Sequence, residues 1–543
     1  MKAIRAALAT LGAVATCLLS PLIAGAAPHS GESAAQAYTR PTAGGYYRVT
    51  ISPAIHPIPI SQIHNWTIHV ESADGVAFMP RQLVINGGMP GHGHGLPTKP
   101  NISRYLGNGD FLVEGMMFQM PGRWQLIVGV TGPQGPDQAV FDVDIGAPVP
   151  QQETADAPWS PAELQMMKSL WLKNLPPSPV DPSNRFSGNE RAAELGKKLF
   201  YDRAVSGSGK VSCADCHKPE HLFADDKRFS VGSAPTRRNA PGLLGASHFK
   251  WFYWDGRRDS LWSQAITPME TPGEMDGTRV DVLRYVFGTA RYRQALEKLG
   301  VMAPDMADQH RFPAGAGPFA GSPGKDKWYA MQGADREQVN HAFADIGKTI
   351  AAYVEQLQPE RTRFDAYVQK LADNDAGAKS ILSDDERKGL RLFLDIGRTM
   401  CLRCHNGPMF TNFGFGNIGT GVAPDGSLDP GRTLGLQAAL VDQFNCQGKY
   451  SDASKDQCKE LRFTAPDESN FGAFKVPSLR GVAKTAPYLH DGRFDTLEEV
   501  IRFYTTEPAG GLAPSEIPPV KLSDDEIEEL AAFLRALSDP YRD

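Results

Sequence analysis

The sequence predicts a multidomain protein: an N-terminal β-sandwich followed by two mainly α-helical domains built on one plan. Three observations predict it. Residues 35–147 read as short apolar segments separated by Gly, Pro and Asn turns, the pattern of a sandwich. The pentapeptide Cys-x-x-Cys-His then occurs twice, at Cys213–His217 and at Cys401–His405. One heptad precedes both copies, as Gly196-Lys197-Lys198-Leu199-Phe200-Tyr201-Asp202 and as Gly389-Leu390-Arg391-Leu392-Phe393-Leu394-Asp395, so the helical part is an internal duplication.

The chain opens with Met1-Lys2-Ala3-Ile4-Arg5, an Ala-rich apolar run to Ile23, and Ala24-Gly25-Ala26-Ala27. A basic start, a short apolar stretch and small residues make residues 1–27 a secretory signal peptide, and the expected location is periplasmic. No later segment is long and apolar enough to span a bilayer. Strands are expected at Tyr46–Ile51, Trp66–Val70, Gln82–Ile85, Phe111–Phe118, Trp124–Val130 and Ala139–Ile145. Residues 148–183 read as a linker, because Pro148, Pro150, Pro158 and Pro161 deny the start of it a regular helix.

The first helical domain is placed at 184–375 and the second at 376–543. Capping boxes are expected at Ser187 with Glu190, Ser383 with Glu386 and Ser523 with Glu526, each satisfying free N–H groups at a helix start. The last opens a helix to Leu537 with Ile527, Leu530 and Leu534 on one face. Val339–Leu357 is amphipathic, with Phe343, Ile346, Ile350 and Tyr353 aligned, and is expected to pack between the two halves. Net charge is −6 with no basic stripe, which excludes a nucleic-acid partner. Of seven cysteines, Cys17 falls in the leader and four lie in the repeated motifs. Cys446 and Cys458, in a polar loop of an exported protein, are expected to form a local disulfide.

Cys-x-x-Cys-His is the pattern of c-type haem attachment: two thiols add across the haem vinyls and the adjacent His reaches the iron. Cys213, Cys216 and His217 would hold one haem c, and Cys401, Cys404 and His405 a second. A zinc site or a redox dithiol is the alternative, but neither needs a His directly after the second Cys. The fold class is therefore a β-sandwich followed by two cytochrome c-type haem domains.

Residues from Asn184 to Ser538 resemble the bacterial di-haem cytochrome c peroxidases and their MauG-type relatives. The resemblance rests on the haem motifs together with Arg238-Asn239-Ala240-Pro241, Trp254-Asp255-Gly256-Arg257, Glu274-Met275, Val476-Pro477-Ser478-Leu479-Arg480 and Thr485-Ala486-Pro487-Tyr488-Leu489-His490-Asp491-Gly492. It implies a first haem that meets hydrogen peroxide and a second that transfers electrons. Glu274 matches the catalytic carboxylate, which can carry a proton between the peroxide oxygens. Gln264 and Pro268 match its pocket neighbours, and Trp254 matches the tryptophan between the haems. Asn239, Thr485 and Pro487 match a calcium site, whose oxygen donors suit that ion.

Two departures bear on subclass. The position at which the peroxidases carry a His that closes the first haem is Ser233 here, which implies an open first haem; His221 and His248 are the substitutes to consider. The position of the second haem's distal Met is Tyr504, as in MauG-type proteins, with Met409 the alternative ligand. Phenolate is a harder donor than thioether and favours ferric and higher-valent iron. The implied function is a MauG-type oxidoreductase that uses peroxide to form high-valent haem and oxidise a protein partner. The alternatives are a peroxide-detoxifying cytochrome c peroxidase, fed by a protein electron donor, and a copper-binding or electron-transfer carrier.

Residues 35–147 resemble the YtkA/FixH-like sandwich modules through Gly88-Met89-Pro90-Gly91-His92-Gly93-His94-Gly95 and Phe118-Gln119-Met120-Pro121-Gly122 with Trp124. Met89, His92, His94 and Met120 offer the thioether and imidazole donors that suit copper, Cu(I) above all; the alternative is a glycine-rich loop with packed or solvated side chains. Trp66 and Trp124 are candidate internal targets of oxidation.

Overall fold

The computed structural model describes residues 37–90, 94–145, 158–319, 324–423, 425–464, 466, 470–506 and 514–542. The leader and residues 148–157 of the expected linker lie outside the described residues.

The N-terminal domain is a sandwich of two antiparallel sheets. One has the order β1-β2-β3-β7-β6, from β1 (Tyr38–Pro41), β2 (Tyr47–Pro53), β3 (His64–Ser72), β6 (Asn101–Gly107) and β7 (Asp110–Met116). The other runs β5-β4-β8-β9, from β4 (Gln82–Met89), β5 (His94–Gly95), β8 (Gly122–Gly132) and β9 (Gly135–Ile145). Strict alternation drives this: Trp124, Leu126, Val128 and Val130 of β8 point inward with polar or small residues between. All six expected strands form, with shifted ends; Phe118 lies beyond β7 and makes only an isolated bridge to Ile60. The unexpected β1 and β6 are outer strands of their sheet and mostly exposed, so they carry no apolar alternation to read.

Each helical domain is organised around a close helix crossing at the glycine of its heptad. Helix Glu190–Phe200 crosses helix Gly333–Val354, and a Cβ on Gly196 would run into the Thr349 carbonyl. Helix Asp384–Leu394 crosses helix Asp524–Ala536, and a Cβ on Gly389 would meet the Glu529 carbonyl. The capping boxes at Ser383 and Ser523 form as expected.

Two expectations are corrected and one is extended. Ser187 caps nothing: the helix starts at Glu190, Asn189 accepts from the Ala192 N–H at 3.1 Å, and the Ser187 hydroxyl donates to Glu355 at 3.1 Å. Helix Gly333–Val354 lies in the first helical core and also meets Phe444, Tyr450 and Asp452 of the second half, so the expected contact with both halves is only extended. Finally, 148–183 is more than a linker. Ser160 and Glu163 form a capping box for helix Pro161–Leu170, whose Met167 and Leu170 are buried in the core of the second helical domain. Proline at the first helical position starts a helix rather than breaking one. Cys446 and Cys458 are disulfide-bonded.

Candidate haem cavity

One continuous cavity of about 1500 Å³ lies across the two helical domains and is lined by both Cys-x-x-Cys-His motifs. That exceeds the roughly 300–1,000 Å³ of ordinary small-ligand sites. Helices Cys213–Cys216 and Cys401–Cys404 are single turns that place each thiol pair at its wall. Burial pushes all four thiols up, Cys216 and Cys401 to about 11 and Cys213 and Cys404 to about 12.

The two histidines are held alike. His217 Nδ1 lies 2.7 Å from the Phe223 carbonyl, and His405 Nδ1 lies 3.0 Å from that of Phe410. A carbonyl only accepts, so Nδ1 carries the proton and Nε2 keeps the lone pair that an iron needs. The carbonyls of Pro241 and Pro477 add to this hold. Burial lowers both pKa values, that of His405 to about 4, so both rings are neutral ligands at neutral pH. Phe223 and Phe410 adopt left-handed backbone, φ 62° and 51°, to aim these carbonyls. Nothing in the sequence marked either residue, because the strain lies in the turn and not in a residue type. Paired thiols, neutral imidazoles and a shared apolar cavity fit two haem c groups.

Near the first motif a few polar side chains join the apolar lining. Helix Leu261–Glu270 presents Gln264 and Pro268, one turn apart, to the cavity, and Glu274 follows on the next turn. That turn is pinned from three directions: the Met275 and Gly277 N–H groups bond to the Pro268 and Met269 carbonyls, Gly207 N–H bonds to Met275, and Ser233 N–H bonds to the Glu274 carbonyl at 2.8 Å. Ser233 is exposed and does not line the cavity, and neither do His221 or His248; His248 Nε2 instead lies 3.3 Å from Gln358. Burial raises the Glu274 pKa, and the Arg257 guanidinium partly offsets this.

Trp254 lines the cavity and donates its indole N–H to the Asn239 carbonyl at 2.9 Å. Around it, Arg238 pairs with Asp255 and Asp429, both at 2.7 Å, and Arg257 also pairs with Asp255. Asn239, Thr485 and Pro487 lie on the same wall; the Asn239 amide donates to the Lys227 carbonyl, which leaves Oδ1 as its metal-capable oxygen. Lys475 reaches the cavity over the Phe249 ring, and burial lowers its pKa to about 8.

Near the second motif the cavity is largely apolar. Tyr504 lines it together with Ile501, Val520, Leu530 and Leu534. Its pKa is raised, first by burial and then by Cys404 and Cys401. Met409 is buried, lies against Gly245, and does not line the cavity.

In the sandwich, Met89 and Met120 are both buried in the core, and the Met89 methyl packs over Gly122. His94 pairs in register with Met89 through β5. His92 lies outside the described residues. This end of the sandwich docks on the second helical domain: Lys99 N–H bonds to the Phe463 carbonyl at 2.6 Å, the Phe463 ring lies over Gly115, and Cys404 packs against the sandwich core.

Residues 190–373 match the family described as di-haem cytochrome c peroxidase. The cytochrome-c peroxidase IdrP2 of Denitromonas iodatirespirans is 30% identical over 358 residues, covering 65% of this chain and 83% of that protein. IdrP1 of the same organism is 29% identical, covering 68% and 86%. The methylamine utilization protein MauG of Methylorubrum extorquens is 29% identical, covering 71% and 88%. The chain belongs to the di-haem cytochrome c peroxidase family. As a member it is a haem peroxidase-class oxidoreductase with two covalently bound haem c groups, in a family of periplasmic c-type cytochromes that use peroxide. No helix among the described residues is long and apolar enough to cross a membrane.

Proposed function

We propose that this di-haem protein works in the MauG manner in the periplasm, drawing oxidising equivalents from hydrogen peroxide and delivering them to an aromatic side chain of a protein. One observation carries the reading: the side chain offered to the cavity at the second motif is Tyr504, while Met409 faces elsewhere. A phenolic oxygen lowers the potential of an iron it binds and suits storing oxidising equivalents better than accepting electrons from a high-potential cytochrome.

When bound, haem supplies the redox-active iron. The chain's residues do the rest. Glu274 takes a proton from one peroxide oxygen and returns it to the other, and its raised pKa makes it a stronger base than an exposed carboxylate. Gln264 and Pro268 shape the wall beside it. Ser233 is exposed and brings no imidazole to the cavity. Trp254 relays electrons between the two halves. Asn239, Thr485 and Pro487 hold calcium and fix the wall that carries Trp254. A copper ion in the sandwich would draw on Met89 and Met120 with His92 and His94; Cu(I) titration of the full chain against its Met89→Ala variant tests this.

The test is optical and EPR spectroscopy of the oxidised haem-loaded protein and of Tyr504→Met. A changed second-haem spectrum in the variant, with slow turnover of reduced small cytochromes by the wild type, supports the reading. An unchanged spectrum removes the Tyr504 ligand. The peroxidases named among the relatives favour a second reading, simple peroxide removal; rapid turnover with a reduced cytochrome would establish it.

A further inference from the structure

The sandwich adds to the haem domains a buried aromatic cluster at the end that docks on the second motif. Phe118 sits 6.1 Å from Trp66, 5.2 Å from Trp124 and 5.8 Å from His64, ring to ring. His64 is in register with Met116, the neighbour of the interface residue Gly115. Cys404, a haem-attaching thiol, packs against this same core.

Within the cluster, Trp66 and Trp124 differ in one respect. Trp66 donates its indole N–H to His64 Nε2 at 2.9 Å. His64 Nδ1 lies 2.9 Å from the Gln62 carbonyl, so it carries the ring proton and Nε2 is a free base. Burial lowers the His64 pKa and keeps the ring neutral. Trp124, Trp254, Trp159 and Trp262 give their N–H groups to carbonyl or hydroxyl oxygens, which cannot hold a second proton near neutral pH. An indole that loses an electron becomes far more acidic at its N–H, and it persists as a neutral radical where a base takes its proton.

We propose that Trp66, with His64 as its base, is an oxidisable site of this protein, reached from the second haem motif across the Cys404 contact. The proposal rests on the peroxide-driven protein oxidation argued above. Hydrogen peroxide takes up two electrons and two protons, its O–O bond breaks, and two waters leave. Trp66 supplies one electron and becomes a neutral indolyl radical, and its N–H proton moves to His64 Nε2, giving an imidazolium that still donates to Gln62. The haem domains supply the second electron. Two one-electron deliveries from a donor protein restore both, the His64 Nε2 proton returning to the indole nitrogen; the two protons that peroxide takes up come from solvent.

The experiment is freeze-quench EPR of the full-length haem-loaded protein after one equivalent of peroxide, with and without ring-deuterated tryptophan. The expected result is a radical signal that narrows on deuteration, persists in Trp124→Phe, and is lost in Trp66→Phe and in His64→Gln. A tryptophan signal that persists in Trp66→Phe overturns the proposal. If Trp66→Phe fails to fold, an unchanged signal in His64→Gln overturns it equally. Absence of any protein radical in every variant, with peroxide consumed by a reduced cytochrome, instead removes the MauG reading on which the proposal stands.

Discussion

The two helical domains hold their attachment motifs by the same means and differ in what they set near them. Each has a heptad glycine at a helix crossing, a phenylalanine in left-handed backbone aiming a carbonyl at the ligand histidine, and a proline carbonyl beside it. Near Cys213 and Cys216 the cavity wall carries Glu274; near Cys401 and Cys404 it carries Tyr504. The scaffold that holds the motif is thus common to both domains, and the two differ in the side chains they add to the cavity.

The largest effect belongs to Glu274. Glu274→Gln keeps the shape and removes the base, and the rate of reaction with peroxide is expected to fall by about 10²- to 10⁴-fold in stopped-flow measurements. In the wild type the rate should fall as pH drops through the raised Glu274 pKa, and Gln should abolish that limb. The same shift has a sign for stability. Folded Glu274 keeps its proton to higher pH than the unfolded chain does, so stability falls as pH rises from the ordinary value of 4.5 through the raised one. Glu274→Gln should therefore be the more stable protein at neutral pH and no more stable at pH well below that range. Lower stability at neutral pH would mean that Glu274 is a structural residue.

The second domain holds its scaffold with a buried ion pair. Arg480 bonds to Asp365 at 2.8 Å, with both side chains almost fully buried, and donates to the carbonyls of Leu170 and Pro408. Although burial alone would raise it, Arg480 holds the Asp365 pKa low. Arg480→Leu strands a buried carboxylate and should cost about 3–5 kcal/mol in urea unfolding. It should also release helix Pro161–Leu170, read as faster proteolysis near Leu170. Adding Asp365→Asn should recover part of the loss.

The repeat itself is tested by its glycines. Gly196→Ala and Gly389→Ala each force a methyl group against a backbone carbonyl, and each should cost about 1–3 kcal/mol. Equal costs would show that both crossings carry their domains alike; a neutral result at either would break the correspondence.

Much of this was legible in the sequence because it is written in residue types. The haem motifs, the heptads, the disulfide and the alternating strands all declare themselves chemically. What stayed hidden depends on contacts made far along the chain. Helix Pro161–Leu170 looked like linker because its partners, Arg391 and Arg480, lie more than two hundred residues away in sequence. Phe223 and Phe410 act through backbone carbonyls, which no side chain advertises. Trp66 and His64 are two positions apart on one inward face of β3, so their contact was readable in principle from the strand period; the docking of that end on Cys404 was not.

The smallest effect concerns the one place where the two heptad helices open differently. In the second domain Ser383 caps helix Asp384–Leu394, accepting from Glu386 N–H at 3.2 Å while Glu386 reaches back to the Ser383 N–H at 2.7 Å. In the first, Asn189 does this work and Ser187 has been drawn to Glu355, whose pKa burial raises. Ser383→Ala and Asn189→Ala should each cost about 1 kcal/mol, the usual worth of an N-cap. Ser187→Ala should leave the helix start untouched and act on Glu355 instead, removing a hydrogen bond that favours the charged form and so raising that carboxyl's pKa further. Its stability loss should therefore grow with rising pH, whereas the loss in Asn189→Ala should not depend on pH. If Ser187→Ala instead shows the pH-independent loss and Asn189→Ala is neutral, the two helices open identically and the asymmetry described here is wrong.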